Sequence, residues 1–170
     1  LDNTLNQPGY FASEKFSEKC KCVGADLKEF SAVKATIDDS QIDYIFHLGA
    51  WAIVNECYES PLEAFGSNIM GTAHVLEAAR QNPKVKAVFI ASSDKAYGKD
   101  CLNAVETQKV FGDHPYDASK ASADMLAQTY FKTYNLPVVI ARFGNIFGPG
   151  DMNLNRIVPG TLEAIIKNRE

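Results

Sequence analysis

Three short, largely apolar runs constrain the fold of this chain more than any other feature. They are Tyr44-Ile45-Phe46-His47-Leu48, Val85 to Ala91, and Leu136 to Ala141. None shows the polar alternation of a half-exposed strand, and runs of this kind read as strands buried on both faces. Between them lie stretches with helical spacing. Asp26 to Asp39 carries Leu27, Phe30, Val33 and Ile37. Residues 61–80 carry Leu62, Phe65, Ile69, Met70, Ala73 and Leu76, and residues 115–134 form a third stretch. Pro61 and Pro115 each open one of these helices, a position that suits proline. A further strand is expected at Cys20 to Gly24 and a last helix at Val158 to Asn168. Strands that alternate with helices predict an α/β fold: a Rossmann-like, doubly wound parallel sheet with helices on both faces. No repeat or linker divides the chain, and its 170 residues suit one domain, 1–170.

Composition serves mainly to exclude. The net charge of −4, with no basic block, gives no footprint for nucleic acid. No apolar run is long enough to span a bilayer and no signal peptide opens the chain, so a cytoplasmic protein is expected. Cys20 and Cys22 have one residue between them, too close for a zinc ligand pair. With Cys57 and Cys101 they read as structural thiols. His47, His74 and His114 are scattered, and no metal site is expected. Leu1 is not a methionine and Glu170 ends a helical pattern without a cap, which reads as a piece of a longer chain.

The reactive groups gather at strand ends. Ser93-Asp94-Lys95 closes the second apolar run, and Tyr116-x-x-x-Lys120 opens the helix after it. Tyr116 and Lys120 are one turn apart and share a helix face. A phenol normally titrates near ~10, and a neighbouring ammonium lowers that value, which makes the pair a candidate base. Asp26, Gly49-Ala50, Ser92 to Lys95 and Asn145 all follow strands. In open α/β sheets that is where ligands bind.

In order along the chain, these motifs resemble the extended short-chain dehydrogenase/reductase family, the NAD-dependent nucleotide-sugar epimerases and dehydratases. Asp2 is similar to the acidic residue that holds the adenosine ribose, and Gly24-Ala25-Asp26-Leu27 to the adenine-side loop. His47-Leu48-Gly49-Ala50 resembles the family's His-Leu-Ala-Ala turn, and Asn68-x-x-Gly71-Thr72 its Asn-x-x-Gly-Thr. Ser92-Ser93-Asp94-Lys95-Ala96-Tyr97-Gly98 stands where many members carry Ser-Thr-Asp-Glu-Val-Tyr-Gly. Pro115-Tyr116-Asp117-Ala118-Ser119-Lys120 and Arg142-Phe143-Gly144-Asn145-Ile146-Phe147-Gly148-Pro149 complete the series. The family's glycine turn, which belongs before Asp2, is absent, as is its C-terminal substrate domain. The first βα unit of the fold is therefore expected to be lacking.

The resemblance implies NAD as cofactor and a nucleotide sugar as substrate. The Asp94-Lys95 pair resembles the CDP-glucose 4,6-dehydratase branch, in which C4 is oxidised, water leaves across C5–C6 and C6 is reduced. Alternatives are an epimerase or reductase of the same family, or a noncatalytic Rossmann piece. The implied catalytic residues are Ser93, Asp94, Lys95, Tyr116 and Lys120. Cofactor contacts fall to Asp2, Asp26, Leu27, Leu48, Gly49, Ala50, Tyr116, Lys120 and Phe143. Substrate contacts fall to Ser93, Asn145 and Arg156. Asn145 also reads as a turn residue, Lys95 as a plain ion-pair partner of Asp94, and Trp51 as either pocket wall or core. Asn68 and Thr72, poor helix formers in mid-helix, read either as hydrogen-bonding groups near the site or as an exposed face. The family also implies a homodimer through helices 61–80 and 115–134.

Overall fold

The computed structural model describes residues 16–98, 102–151 and 153–168. The chain forms two compact units. The first spans Gly24–Gly144, and the second joins the chain before it to the chain after it. Asp2 and Cys101 lie outside the described residues.

The first unit is built on three parallel strands in the order β1-β2-β3. They are β1 (Tyr44–His47), β2 (Ala87–Ser93) and β3 (Val138–Phe143). Tyr44 pairs with Ala87 and Val88 with Val138, so one parity of each strand faces the same way. Ile45, Val88, Ile90, Val138 and Ile140 form the sheet's contribution to the core. The core is completed by Val33 and Ile37 of helix α2 (Phe30–Asp39), by Val75, Leu76, Ala78 and Ala79 of helix α4 (residues 61–80), and by Ala127 of helix α5 (Pro115–Tyr134). The other sheet face carries Tyr44, Phe46, Phe89, Val139 and Phe143. The Phe46, Phe89 and Phe143 rings follow one another at 5.6 and 6.0 Å.

Parallel strands need long crossovers, and helices supply them. Helix α3 (Val54–Glu59) precedes α4, which runs through residues 61–80 as Pro61–Phe65, a wider π turn at Gly66–Met70, and Gly71–Arg80. Helix α5 starts with Pro115 at its first position and ends at Asn135, whose left-handed φ of 56° suits an asparagine cap. A short 3₁₀ turn, Asp94–Tyr97, continues β2 and ends at Gly98 with φ 88°, a value only glycine adopts readily.

The three strands expected from the apolar runs and the long helices expected from periodicity are present. Helix α5 occupies 115–134 as expected, whereas β2 and β3 are each shifted two residues toward their C-termini. Cys20 to Gly24 is a correction: no strand forms there. The run is largely exposed, so alternation alone had no buried face to follow. In the second unit a four-residue helix, α1 (Phe16–Lys19), and helix α6 (Ile157–Ile166) are described.

Leu76 is fully buried at the centre of the core. Leu76→Ala should lower the unfolding free energy by about 2–5 kcal/mol through lost transfer energy and a residual cavity. Urea denaturation monitored by circular dichroism measures this, and a loss below ~1 kcal/mol would place Leu76 outside the core.

Candidate active site

The site assembles where α5 crosses the C-terminal end of β2. Ser93, the last residue of β2, caps the 3₁₀ turn: its Oγ accepts from Lys95 N at 3.2 Å and donates to Asp94 Oδ1 at 3.1 Å. The turn holds Asp94 and Lys95 side by side, Nζ to Oδ2 3.7 Å, with both side chains about half exposed (49% and 51%). Their ion-pair reading therefore holds in this state, and the pair is open to solvent and ligand.

Tyr116 enters from the first turn of α5. The N-cap of that helix is His114, whose Nδ1 accepts from Tyr116 N at 3.2 Å, in place of the usual hydroxyl or carboxylate. The preceding loop is pressed onto this turn. A Cβ on Gly112 would lie 2.3 Å from Ala118 N, so only glycine fits. Tyr116 hydrogen-bonds with the side chain of Ser93. Burial nevertheless raises its phenol pKa above the ordinary value. This corrects the expectation that Lys120 lowers it. Lys120 is turned to the sheet, donating from Nζ to Ala91 O at 2.9 Å, and is itself buried. Desolvation brings its own pKa down to about 8. Asp117, buried beside them, is also raised by desolvation.

The floor beneath is a polar lattice. The Asn68 side chain, in the π turn, accepts from Trp51 N at 2.7 Å. It donates to Trp51 O at 3.0 Å and to Ser119 Oγ at 2.8 Å. Ser119 Oγ in turn donates to Tyr116 O at 2.7 Å. One buried amide thus holds the loop after β1 against the helix that carries Tyr116. π turns inside α-helices often mark such places. Thr72 Oγ1 donates to Asn68 O and accepts from His47 Nε2 at 2.9 Å. His47 is buried and neutral, its pKa brought down to about 4 by desolvation and by the Lys120 charge. The hydrogen-bonding reading of Asn68 and Thr72 is the correct one. Trp51 is half-buried, and its indole N–H has no hydrogen-bond partner among the described residues. The buried Cys57 thiol donates to Trp51 O at 3.4 Å.

Of the residues expected to meet a dinucleotide, Leu48, Gly49 and Ala50 follow β1 and Phe143 ends β3, whereas Asp26 and Leu27 follow no strand. Leu27 packs between the two glycines: a Cβ on Gly49 would lie 2.8 Å from Leu27 Cδ1, and one on Gly71 3.0 Å from Leu27 Cβ. His74 Nδ1 donates to Leu27 O at 2.8 Å. Asp26 Oδ1 accepts from Lys28 N. Leu48 is exposed and Ala50 half-buried. Phe143 lies on the aromatic face of the sheet. Asn145 and Arg156 belong to the second unit, where Arg156 Nη1 donates to Asp151 Oδ2 at 3.2 Å. Among the described residues no cluster of His, Cys, Asp and Glu could hold a metal. No described helix is long and apolar enough to cross a membrane. Sequence reasoning missed His74, whose only signal was its place one helical turn after Gly71.

A family model described as GDP-mannose 4,6 dehydratase matches residues 4–169, and the chain belongs to that family. The CDP-glucose 4,6-dehydratase of Salmonella typhimurium is 26% identical over 96% of the chain and 48% of its own length. The dTDP-D-glucose 4,6-dehydratase of Dictyostelium discoideum is 31% identical over 87% of the chain and 39% of its own. Among solved structures, the dTDP-glucose 4,6-dehydratase DesIV from Streptomyces venezuelae, with NAD and TYD bound, superposes with a TM-score of 0.75. The two are 26% identical over 86% of this chain and 44% of that one. The resemblance read from the motifs is borne out, and the chain spans less than half the length of these relatives.

Lys120 titrates near 10.5 when exposed and near 8 in the folded chain. Between those values the unfolded state holds the extra proton, so folding stability should rise with pH through that window. Lys120→Met should remove the rise. The unfolding free energy of the wild type relative to the variant should climb by roughly 2–4 kcal/mol from pH 8 to 10.5. Urea titrations at stepped pH measure it, and a flat difference would show Lys120 to be solvated.

Proposed function

We propose that this chain is the NAD-binding core of a nucleotide-sugar 4,6-dehydratase of the cytoplasm, active on one bound sugar through oxidation, elimination and reduction. The observation that carries the reading is the meeting of Ser93, Asp94 and Lys95 with Tyr116 at the end of β2, with Lys120 one turn behind. The relatives' names point the same way.

The built residues suit a dinucleotide. Leu27 packs against Gly49 and Gly71, and Asp26, Leu48 and Ala50 are their chain neighbours. When bound, NAD supplies a hydride acceptor and a positive charge that favours the Tyr116 phenolate. That charge matters because burial here outweighs the Ser93 hydrogen bond. Lys120 would hold the nicotinamide ribose, Asp2 the adenosine ribose, and Phe143 would lie on the cofactor side. Asn145 and Arg156 bind the sugar diphosphate.

Tyr116 would take the proton of the C4 hydroxyl, which Ser93 orients, so that the bound cofactor could accept the C4 hydride. The ketone then acidifies the C5 proton. A proton shifted from Lys95 to Asp94 turns the ion pair into a neutral amine and a carboxylic acid. Lys95 removes the C5 proton while Asp94 protonates the C6 hydroxyl, which departs as water. With C6 reduced by the bound cofactor, Lys95 would return the proton to C5. The proton on Tyr116 replaces, through solvent, the one Asp94 gave up. Groups positioned in this way each contribute ~10²–10⁴-fold. Leu62 and Met70 on α4, and Met125 and Phe131 on α5, are exposed apolar residues that a homodimer through these helices would cover.

In the complete protein with NAD and CDP-, dTDP-, UDP- or GDP-linked sugars, mass spectrometry should find a 4-keto-6-deoxy product. Tyr116→Phe should abolish reduction of the cofactor. Asp94→Asn should permit it but block loss of water. A C4-inverted sugar without water loss would make the protein an epimerase, and normal product from Asp94→Asn would remove its role as acid.

A further inference from the structure

Behind the reactive residues lies a buried ion pair that the chemistry above does not use. Asp124 is fully buried two turns beyond Tyr116 on α5. Arg142, on β3, grips it with two bonds: Nε to Oδ2 at 2.7 Å and Nη2 to Oδ1 at 2.9 Å. Each member then reaches one flank of the reactive turn. Ser92, the residue before Ser93, donates from Oγ to Asp124 Oδ2 at 3.0 Å. Tyr97, the last residue of the 3₁₀ turn, accepts from Arg142 Nη1 at 2.9 Å, and its ring lies 4.8 Å from the guanidinium carbon. The same Nη1 donates to Glu106 O at 3.0 Å, in the segment that follows the turn.

We infer that the Asp124–Arg142 pair is a positioning device for the proposed elimination: it fixes both ends of the Ser93–Asp94–Lys95 turn to the helix that carries Tyr116 and Lys120. This rests on the dehydratase reading above. Among the described residues the half-exposed Asp94 and Lys95 side chains make polar contacts only with each other and Ser93, so the clamp adds fixed points that those contacts do not supply. Tyr116, Lys120 and Asp124 recur every four residues along one face of α5. Lys120 and Asp124 meet the consecutive residues Ala91 and Ser92. That register sets the height of Asp94 relative to Tyr116. A buried ion pair is weak evidence for stability but a good device for holding one arrangement. A guanidinium suits it because its planar fork serves the carboxylate while another N–H and the stacked face serve Tyr97.

Two measurements on the complete protein test this. In single turnover, Arg142→Lys should leave cofactor reduction near its wild-type rate and slow loss of water by about 10- to 100-fold, as expected for a displaced acid-base pair. The absorbance of reduced nicotinamide should then build and persist, with KM little changed. By amide hydrogen exchange, Lys95 and Gly98 should lose protection in the variant while the 115–134 helix keeps its own. Tyr97→Phe, which spares the ion pair, should show the same split more weakly and serves if Arg142→Lys does not fold. Equal loss of both steps, or an unchanged elimination rate with unchanged exchange, overturns the inference. If the wild type makes no 4-keto product, the dehydratase reading fails and the positioning role fails with it. Exchange then reports only whether the pair holds the turn.

Discussion

Burial of polar groups along one face of α5 is the constraint on which the rest depends. A buried amine or carboxylate left without a partner costs several kcal/mol, so Lys120 and Asp124 can be buried only where acceptors and donors wait for them. The carbonyl of Ala91 and the hydroxyl of Ser92 supply two of these, on adjacent residues of β2. Sliding the helix by one turn would strand both groups at once. The apolar core, by contrast, tolerates small shifts, because its contacts are non-directional. The polar face therefore sets the register of α5 on the sheet, and with it the position of Tyr116.

The same burial shapes the electrostatics. Desolvation lowers Lys120 and His47 and raises Tyr116 and Asp117, each toward its neutral form. Asp124 goes the other way. Burial pushes its carboxyl up, but hydrogen bonds from Arg142, Gln128 and Ser92 outweigh burial and hold it below the ordinary carboxylate range. The difference is the number of donors: where three side chains converge, their hydrogen bonds outweigh burial, and where one or none is present burial prevails. This separates a permanently ionised pair behind the site from groups near it that lean toward neutrality.

Much of this was legible in the chain itself. Apolar runs gave the parallel strands, and the strand-end rule placed Ser93 to Lys95 beside Tyr116. Pro115 and the 3.6-residue spacing gave the full extent of α5. What escaped did so for separate physical reasons. The two-residue shift of β2 and β3 arises because Ser92, Ser93, Arg142 and Phe143 continue the ladder beyond the apolar stretch, and hydrophobicity cannot see backbone pairing. Cys20 to Gly24 failed the opposite way, since alternation without a buried face specifies no strand. The effect of Lys120 on Tyr116 was misread because helical spacing says which residues are neighbours, but not that the amine would turn toward a carbonyl of β2.

Arg142 shows how much meaning tertiary context adds. In sequence it is the polar residue of an otherwise apolar strand, easily taken for a strand end that meets solvent. Its partners are 18, 36 and 45 residues away: Asp124 on a helix, Glu106 in a loop and Tyr97 in a 3₁₀ turn. No periodicity links such positions. What makes them one unit is that β3 lies beside β2 with Arg142 opposite Ser92, so that a single guanidinium faces the carboxylate that Ser92 also meets. Parallel pairing thus turns a distant strand into a brace for the reactive turn. In a fold of this kind, the strand next to the one whose end carries the proposed site is where residues that would hold the chemistry in place, without taking part in it, are best sought.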